Sequence, residues 1–268
     1  MQSILKTGIN MSNNQPIAVF DSGVGGISIL RELIKHMPGE DYIYYGDAAN
    51  APYGSKTHNE IRNATLKHTA ELLAMGAKAI VVACNTATSV AIDDLRELYP
   101  DIPIIGVEPA LKPAVMYKPD SVVVVMATPA TLSERRFSSL MNKYDKVSKI
   151  IPLPCPELAA IIESGILEGK ALDDYINALF SPYKNIRIDS IVLGCTHYPF
   201  VKKSILKIFD YDVRLFDGAY GTAKETKRRL DENNLLSSNE NNGKITIMTS
   251  ADIKTFSALA QKLLAADI

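Results

Sequence analysis

The chain has 268 residues, enough for one large or two smaller domains, and its 47% apolar content is that of an ordinary globular protein with a sizeable core. Lys plus Arg number 29 and Asp plus Glu 30, a net charge of −1 without long blocks of one sign, which argues against a general nucleic-acid surface. No apolar stretch approaches the roughly 20 residues of a membrane span, the N-terminus lacks a basic-then-apolar signal, and three cysteines without Cys-x-x-Cys pairs fit a reducing compartment, so a cytoplasmic location is expected and a disulfide framework is not.

Residues 1–15 are polar and turn-prone and are expected to form a flexible extension. From Pro16 onward short apolar runs alternate with longer amphipathic ones: strand 17–20 and helix 27–37, strand 42–45 and helix 59–75, strand 79–83 and helix 87–98. Such a βαβαβα pattern predicts a parallel sheet covered by helices. A strand at 103–106 follows, and the alternation restarts with strand 121–127, helix 132–143, strand 149–153, helices 157–167 and 172–180, strand 190–193 and helix 199–209. The chain then gives a strand at 214–216, a helix at 220–232, a link rich in Asn and Ser, a strand at 244–248 and a last helix at 253–266. The second run mirrors the first. Cys84 and Cys195 lie 111 residues apart, and the ends of the two opening strands, Phe20 and Ala127, lie 107 apart, so an approximate internal repeat of low identity is expected. The expected domains are 16–108 plus 217–268, and 109–216.

Two segments stand out: Ile80-Val81-Val82-Ala83-Cys84-Asn85-Thr86 and Ile191-Val192-Leu193-Gly194-Cys195-Thr196-His197. Each apolar run is short and β-branched, as a strand buried on both faces should be, which places each cysteine at a strand's carboxyl end. Open α/β sheets bind their ligands there. If the two turns face one another, two thiols flank one small substrate, as a reaction needs when a proton leaves one face of a carbon and returns to the other. That reaction is a racemisation. A free thiol titrates near 8.5, and a helix N-terminus lowers it, a placement both cysteines fit. Taken singly, each reads more readily as a small buried apolar residue; the pairing reverses this in favour of chemistry. Cys155, between Pro154 and Pro156, reads as structural.

Asp21 ends the first strand before a Gly-rich turn, where its carboxylate can take a proton from a substrate ammonium, assist the Cys84 thiol, or cap a helix. His197, two residues after Cys195, can exchange a proton with that thiol. His36, His58 and His68 lie in or beside helical segments and are expected to face solvent. Ser22, Asn85, Thr86 and Thr196, together with the amides of their turns, can bind carboxylate oxygens, as can Tyr53 and Gly54 after Pro52. The run Gly23-Val24-Gly25-Gly26 lacks the Gly-x-Gly-x-x-Gly spacing, so no dinucleotide site is expected.

Taken together, these segments resemble the glutamate racemase family, cofactor-independent amino-acid racemases of bacterial cell-wall synthesis. The resemblance covers nearly the whole chain: Phe20-Asp21-Ser22-Gly23-Val24-Gly25-Gly26, Gly46-Asp47 with Pro52-Tyr53-Gly54, Ala83-Cys84-Asn85-Thr86-Ala87, Gly106-Val107-Glu108-Pro109, Ala127-Thr128 with Thr131, Cys155-Pro156, and Gly194-Cys195-Thr196-His197-Tyr198-Pro199. It implies an α/β fold of two similar flavodoxin-like domains with parallel central sheets, pseudo-twofold related, with the active site between them. It implies racemisation of glutamate by two bases, Cys84 acting on the D-isomer and Cys195 on the L-isomer, supplying D-glutamate for peptidoglycan without cofactor or metal. It also implies Asp21, His197 and Glu163 as proton helpers, Thr128 and Thr131 near the second carboxylate, and glutamate as the partner, with no nucleic acid or membrane required and a homodimer compatible. Where the family has bulkier residues after Cys-Pro, this chain has Glu157-Leu158-Ala159-Ala160; from the residues alone, Glu163 reads equally as a helix-surface carboxylate. Two alternatives stay open: a racemase of aspartate or another small acidic amino acid, and a non-catalytic binding protein on the same fold.

Overall fold

The computed structural model describes residues 12–266. Its strands are β1 (Ile17–Asp21), β2 (Tyr42–Gly46), β3 (Ala79–Val82), β4 (Ile104–Gly106), β5 (Val122–Ala127), β6 (Lys149–Pro154), β7 (Ser190–Leu193), β8 (Arg214–Asp217) and β9 (Ile245–Thr249). Between them run helices α1 (Ile27–His36), α2 (His58–Ala74), α3 (Asn85–Leu98), α4 (Leu111–Tyr117), α5 (Pro129–Ser133), α6 (Arg135–Asn142), α7 (Leu158–Glu163), α8 (Lys170–Phe180), α9 (Lys202–Leu206), α10 (Ala219–Glu232) and α11 (Ile253–Ala265). β1, β3 and β7 are buried at every residue, because helices cover both faces and a β-branched side chain packs well on either. Burying one such Val or Ile contributes about 1.5–3 kcal/mol.

Two sheets result, ordered β4-β3-β1-β2-β9 and β6-β5-β7-β8, with every neighbouring pair parallel. Without β9 the two orders are one pattern used twice, β2-β1-β3-β4 and β6-β5-β7-β8. The strand register refines the repeat. Phe20 pairs with Val82 and Met126 with Leu193, each partner lying two residues before its cysteine, so Met126 rather than Ala127 is the counterpart of Phe20. Ala127 therefore stands where the first half has Asp21. After β8 the chain returns to the first sheet, α10 packing on α1 and β9 adding to the edge of β2.

Several helices differ from their sequence expectations. The helix expected at 132–143 is two, because Glu134 is extended (ψ 136°) between α5 and α6. The helix expected at 157–167 stops at Glu163, ahead of Gly165 in the left-handed region (φ +85°) that ends helices. α4 was not anticipated: its Pro113 sits in the first turn, where no intrahelical N–H is needed. Of the expected extension, residues 1–11 lie outside the described residues, and Asn13 is bound through its carbonyl to the Lys78 ammonium at 2.6 Å. Lys78 is fully buried, and its ammonium pairs with buried Glu40 at 2.5 Å, whose second oxygen accepts the Ser237 N–H at 2.7 Å.

Candidate active site

β3 ends at Val82, and two residues later Cys84 caps α3 with extended backbone (φ −67°, ψ 119°), its sulfur accepting the Ala87 N–H at 3.4 Å. The thiol points to Ser22 Oγ at 3.5 Å. Burial pushes the Cys84 thiol up to about 12, the Asp21 carboxylate adds to the rise, and the Ala87 N–H and Ser22 oppose it. The expected lowering by the helix N-terminus is thus overturned for Cys84, since one long N–H contact does not offset removal of the sulfur from water.

Asp21 is fully buried, and burial raises its carboxyl to about 6, opposed by His197 and by the Gly26 and Gly23 N–H groups. It accepts the Gly26 N–H at 2.9 Å, ahead of α1, and the Thr196 hydroxyl at 3.4 Å. Asp21 thus satisfies an amide at the entry to α1 and also meets the turn that carries Cys195.

On the other side, His197 Nδ1 lies 3.5 Å from Cys195 Sγ, and its Nε2 lies 2.5 Å from Glu163 Oε1. Glu163 also accepts the Val24 N–H of the first sheet's Gly-rich turn at 2.6 Å. Burial works against charging His197, yet the Cys195 sulfur and the Glu163 carboxylate outweigh it and hold the imidazole well above its usual range. Glu163 reaches across because α7 ends on it. The glycines of the first turn permit this approach: a Cβ on Gly23 would overlap the Glu163 carboxylate, and one on Gly25 would overlap His197 Nδ1 and come within 2.6 Å of Thr196 Oγ1. Ser28, unanticipated from sequence, ties the halves further by donating to the Thr196 carbonyl at 2.9 Å.

Thr86, two residues past Cys84, bonds Thr128 and Thr131 of the second half at 3.0 and 2.9 Å. Gly54 abuts Thr128, whose Cβ lies 2.7 Å from where a Gly54 side chain would begin. Asn85 is buried with its Oδ1 unpartnered, an acceptor free for an incoming N–H. Pro52 and Glu163 line a pocket of about 330 Å³ with Thr255 and Phe256. Larger grooves of about 720 and 550 Å³ are lined by none of the candidate residues. Cys84 and Cys195 are near enough to interact electrostatically, the Cys195 sulfur adding to the rise of the Cys84 thiol, and both are buried, with exposures of 5% and 8%. Cys155 is fully buried against the Leu153 carbonyl, and burial pushes its thiol up to about 12.

One histidine contradicts its expectation. His68 is buried, not solvent-facing, its ring nitrogens 3.4 Å from Asp47 Oδ2 and 2.8 Å from Glu71 Oε2. The signal was present, since His68 falls on the same face of α2 as buried Ile61, Thr65 and Leu72. Asp47, matched in sequence but given no role, is fully buried at the end of β2 and accepts the Tyr53 hydroxyl at 2.7 Å. Among the described residues no helix is long and apolar enough to cross a membrane, and no cluster of three His, Cys, Asp or Glu residues is set to hold a metal.

Two buried thiols within electrostatic reach of one another, one beside Ser22 and Asp21 and the other beside His197, are an arrangement to compare with known relatives. A glutamate racemase of Clostridium acetobutylicum is 52% identical over 94% of this chain and 98% of its own, and one of Clostridium botulinum is 50% identical over 94% and 97%. The crystal structure of glutamate racemase from Francisella tularensis in complex with D-glutamate superposes with a TM-score of 0.82 at 32% identity, covering 96% of both chains. Residues 25–226 match the model of the Asp/Glu/hydantoin racemase family. With sequence and fold in agreement, the chain belongs to the Asp/Glu/hydantoin racemase family.

Proposed function

We propose that this enzyme interconverts L- and D-glutamate without a cofactor, with Cys84 and Cys195 as the two bases on opposite faces of the α-carbon, and that it supplies D-glutamate for peptidoglycan. The observation that carries the reading is the electrostatic proximity of the two buried thiols, each with its own neighbours: Asp21 and Ser22 beside Cys84, His197 and Glu163 beside Cys195. The relatives' shared name, glutamate racemase, favours glutamate over aspartate.

The α-hydrogen is a very weak acid, so its removal needs a desolvated base and donors where charge develops. On the Cys195 side the thiol proton passes to His197 Nδ1, leaving a thiolate beside an imidazolium held by Glu163. The thiolate takes the α-hydrogen of L-glutamate, the C–H electron pair moves onto the α-carbon and into the carboxylate, and the Cys84 thiol delivers its proton to the opposite face. D-glutamate reverses the order. Asp21, titrating at about 6, is able to accept and return the Cys84 proton near neutrality. Thr86, Thr128, Thr131, Ser22, Thr196 and the amides at Tyr53 and Gly54, with Pro52 shaping their loop, supply neutral donors to the carboxylates. Those that face the α-carboxylate, which gains charge as the proton departs, favour the transition state over the ground state, while those around Thr128 hold the side-chain carboxylate. Asn85 Oδ1 accepts from the substrate ammonium. Units 16–108 plus 217–268 and 109–216 part to admit the substrate, since the sulfurs are enclosed.

When purified protein is incubated with L-glutamate and no added cofactor, the circular dichroism of the glutamate should decay to zero. Cys84→Ala and Cys195→Ala should each lose inversion in both directions, while a glutamate analogue bearing a β-leaving group still undergoes elimination, which needs one base. Racemisation retained by Cys84→Ala would refute the scheme.

A further inference from the structure

Behind the Pro52-Tyr53-Gly54 loop lies a buried cluster that the mechanism does not use. Its centre is Asp47, fully buried, whose carboxylate accepts four donors: Tyr53 Oη at 2.7 Å, Asn50 Nδ2 at 2.9 Å, Ser250 Oγ at 2.6 Å and the His68 ring at 3.4 Å. Ser250 follows β9, and its hydroxyl oxygen also accepts the Ala49 N–H at 3.1 Å. His68 stands on α2, with Asp47 and Glu71 on its two nitrogens and the Tyr45 and Phe20 rings over its faces at centroid distances of 4.8 and 5.7 Å. Three separate elements thus converge on one carboxylate. That carboxylate in turn holds Tyr53, and the next residue, Gly54, is the point where the first half presses on Thr128 of the second.

The geometry points to Asp47 as a positioning residue for the racemisation: His68 from α2 and Ser250 from the C-terminal βα unit fix its carboxylate, and through Tyr53 it sets the Pro52-Tyr53-Gly54 amides against Thr128 to receive a substrate carboxylate. A carboxylate saturated by four donors has one orientation, so the Tyr53 hydroxyl has one place to dock. The Asp47 and Glu71 carboxylates outweigh burial and raise the His68 imidazole above its usual value, which favours its contact with Asp47. The C-terminal segment, distant in sequence from both cysteines, thereby serves substrate binding. This inference rests on the loop's role in the function proposed above.

The loop, set against Thr128, receives the side-chain carboxylate, whose charge does not change in the reaction, so loosening it raises KM more than it lowers kcat. Initial rates by circular dichroism on wild type, Ser250→Ala, His68→Gln and Ser250→Thr separate the two constants. The expected result is a KM raised about 3- to 10-fold in Ser250→Ala and His68→Gln, with kcat within about twofold, and recovery in Ser250→Thr, whose hydroxyl restores the bond. A KM within twofold of wild type in both weakened variants, or kcat falling at constant KM, overturns the positioning role while active wild type leaves the racemase reading standing. Wild-type protein inert toward glutamate overturns both.

Discussion

Replacing Asp21 by Asn separates what its burial costs from what its charge does. The carboxyl rises from 3.8 to about 6 on folding, chiefly by burial. A difference of about 2 units at about 1.36 kcal/mol each makes the ionised native carboxylate cost about 3 kcal/mol. The sign follows from which state ionises first: below 3.8 both hold the proton and nothing is lost; between 3.8 and about 6 the unfolded chain releases it first and native stability falls; above about 6 the loss is complete. Asn never ionises. The stability of Asp21→Asn relative to wild type should therefore rise by about 3 kcal/mol between acid and neutral pH, about 6 °C in Tm for a chain of this size. A pH-independent offset of about 1–3 kcal/mol from the hydrogen bonds the amide cannot accept cancels in that difference. Urea unfolding of both proteins at about pH 3 and pH 7.5 reads it directly. Parallel curves for the two proteins, or a gap that closes toward neutrality, would refute the argument.

Glu163→Gln removes the carboxylate that favours the charged form of His197, so the imidazolium should lose its proton at lower pH; a pH profile of kcat/KM whose basic limb moves down confirms it, and an unmoved limb rules it out. Lys78→Met leaves Glu40 buried without its cation and should cost about 3–5 kcal/mol in urea unfolding, most of it recovered by adding Glu40→Gln; a loss under about 1 kcal/mol would count against a desolvated pair.

The strands were legible because a run such as Ile80 to Ala83 is short, β-branched and closed by polar turn residues, a combination that only a two-face-buried strand tolerates. The turn after each such strand carried the cysteines for the same reason, and their placement could be read before any contact was known. Helix breaks were less legible. Glu134 interrupts a continuous amphipathic pattern by one extended residue, and its side chain meets His58, a contact 76 positions away in sequence that periodicity cannot contain. Glu163 was ambiguous likewise, since its partners, His197 and Val24, arrive from other parts of the chain. The cluster around Asp47 was hidden because its donors are an ordinary Ser, Asn and His whose meaning lies in convergence, although the buried face of α2 did mark His68.

The same sheet wiring occurs twice, yet a carboxylate stands beside one sulfur and an imidazole with its own carboxylate beside the other. Mirror-image isomers have equal free energy in water, so the equilibrium constant is unity and kcat/KM for the two hands must coincide whatever surrounds each thiol. The lopsided chemistry is free only to trade saturation against turnover in each direction. An enzyme built this way has no preferred direction of its own, and one hand accumulates only as fast as a following reaction withdraws it.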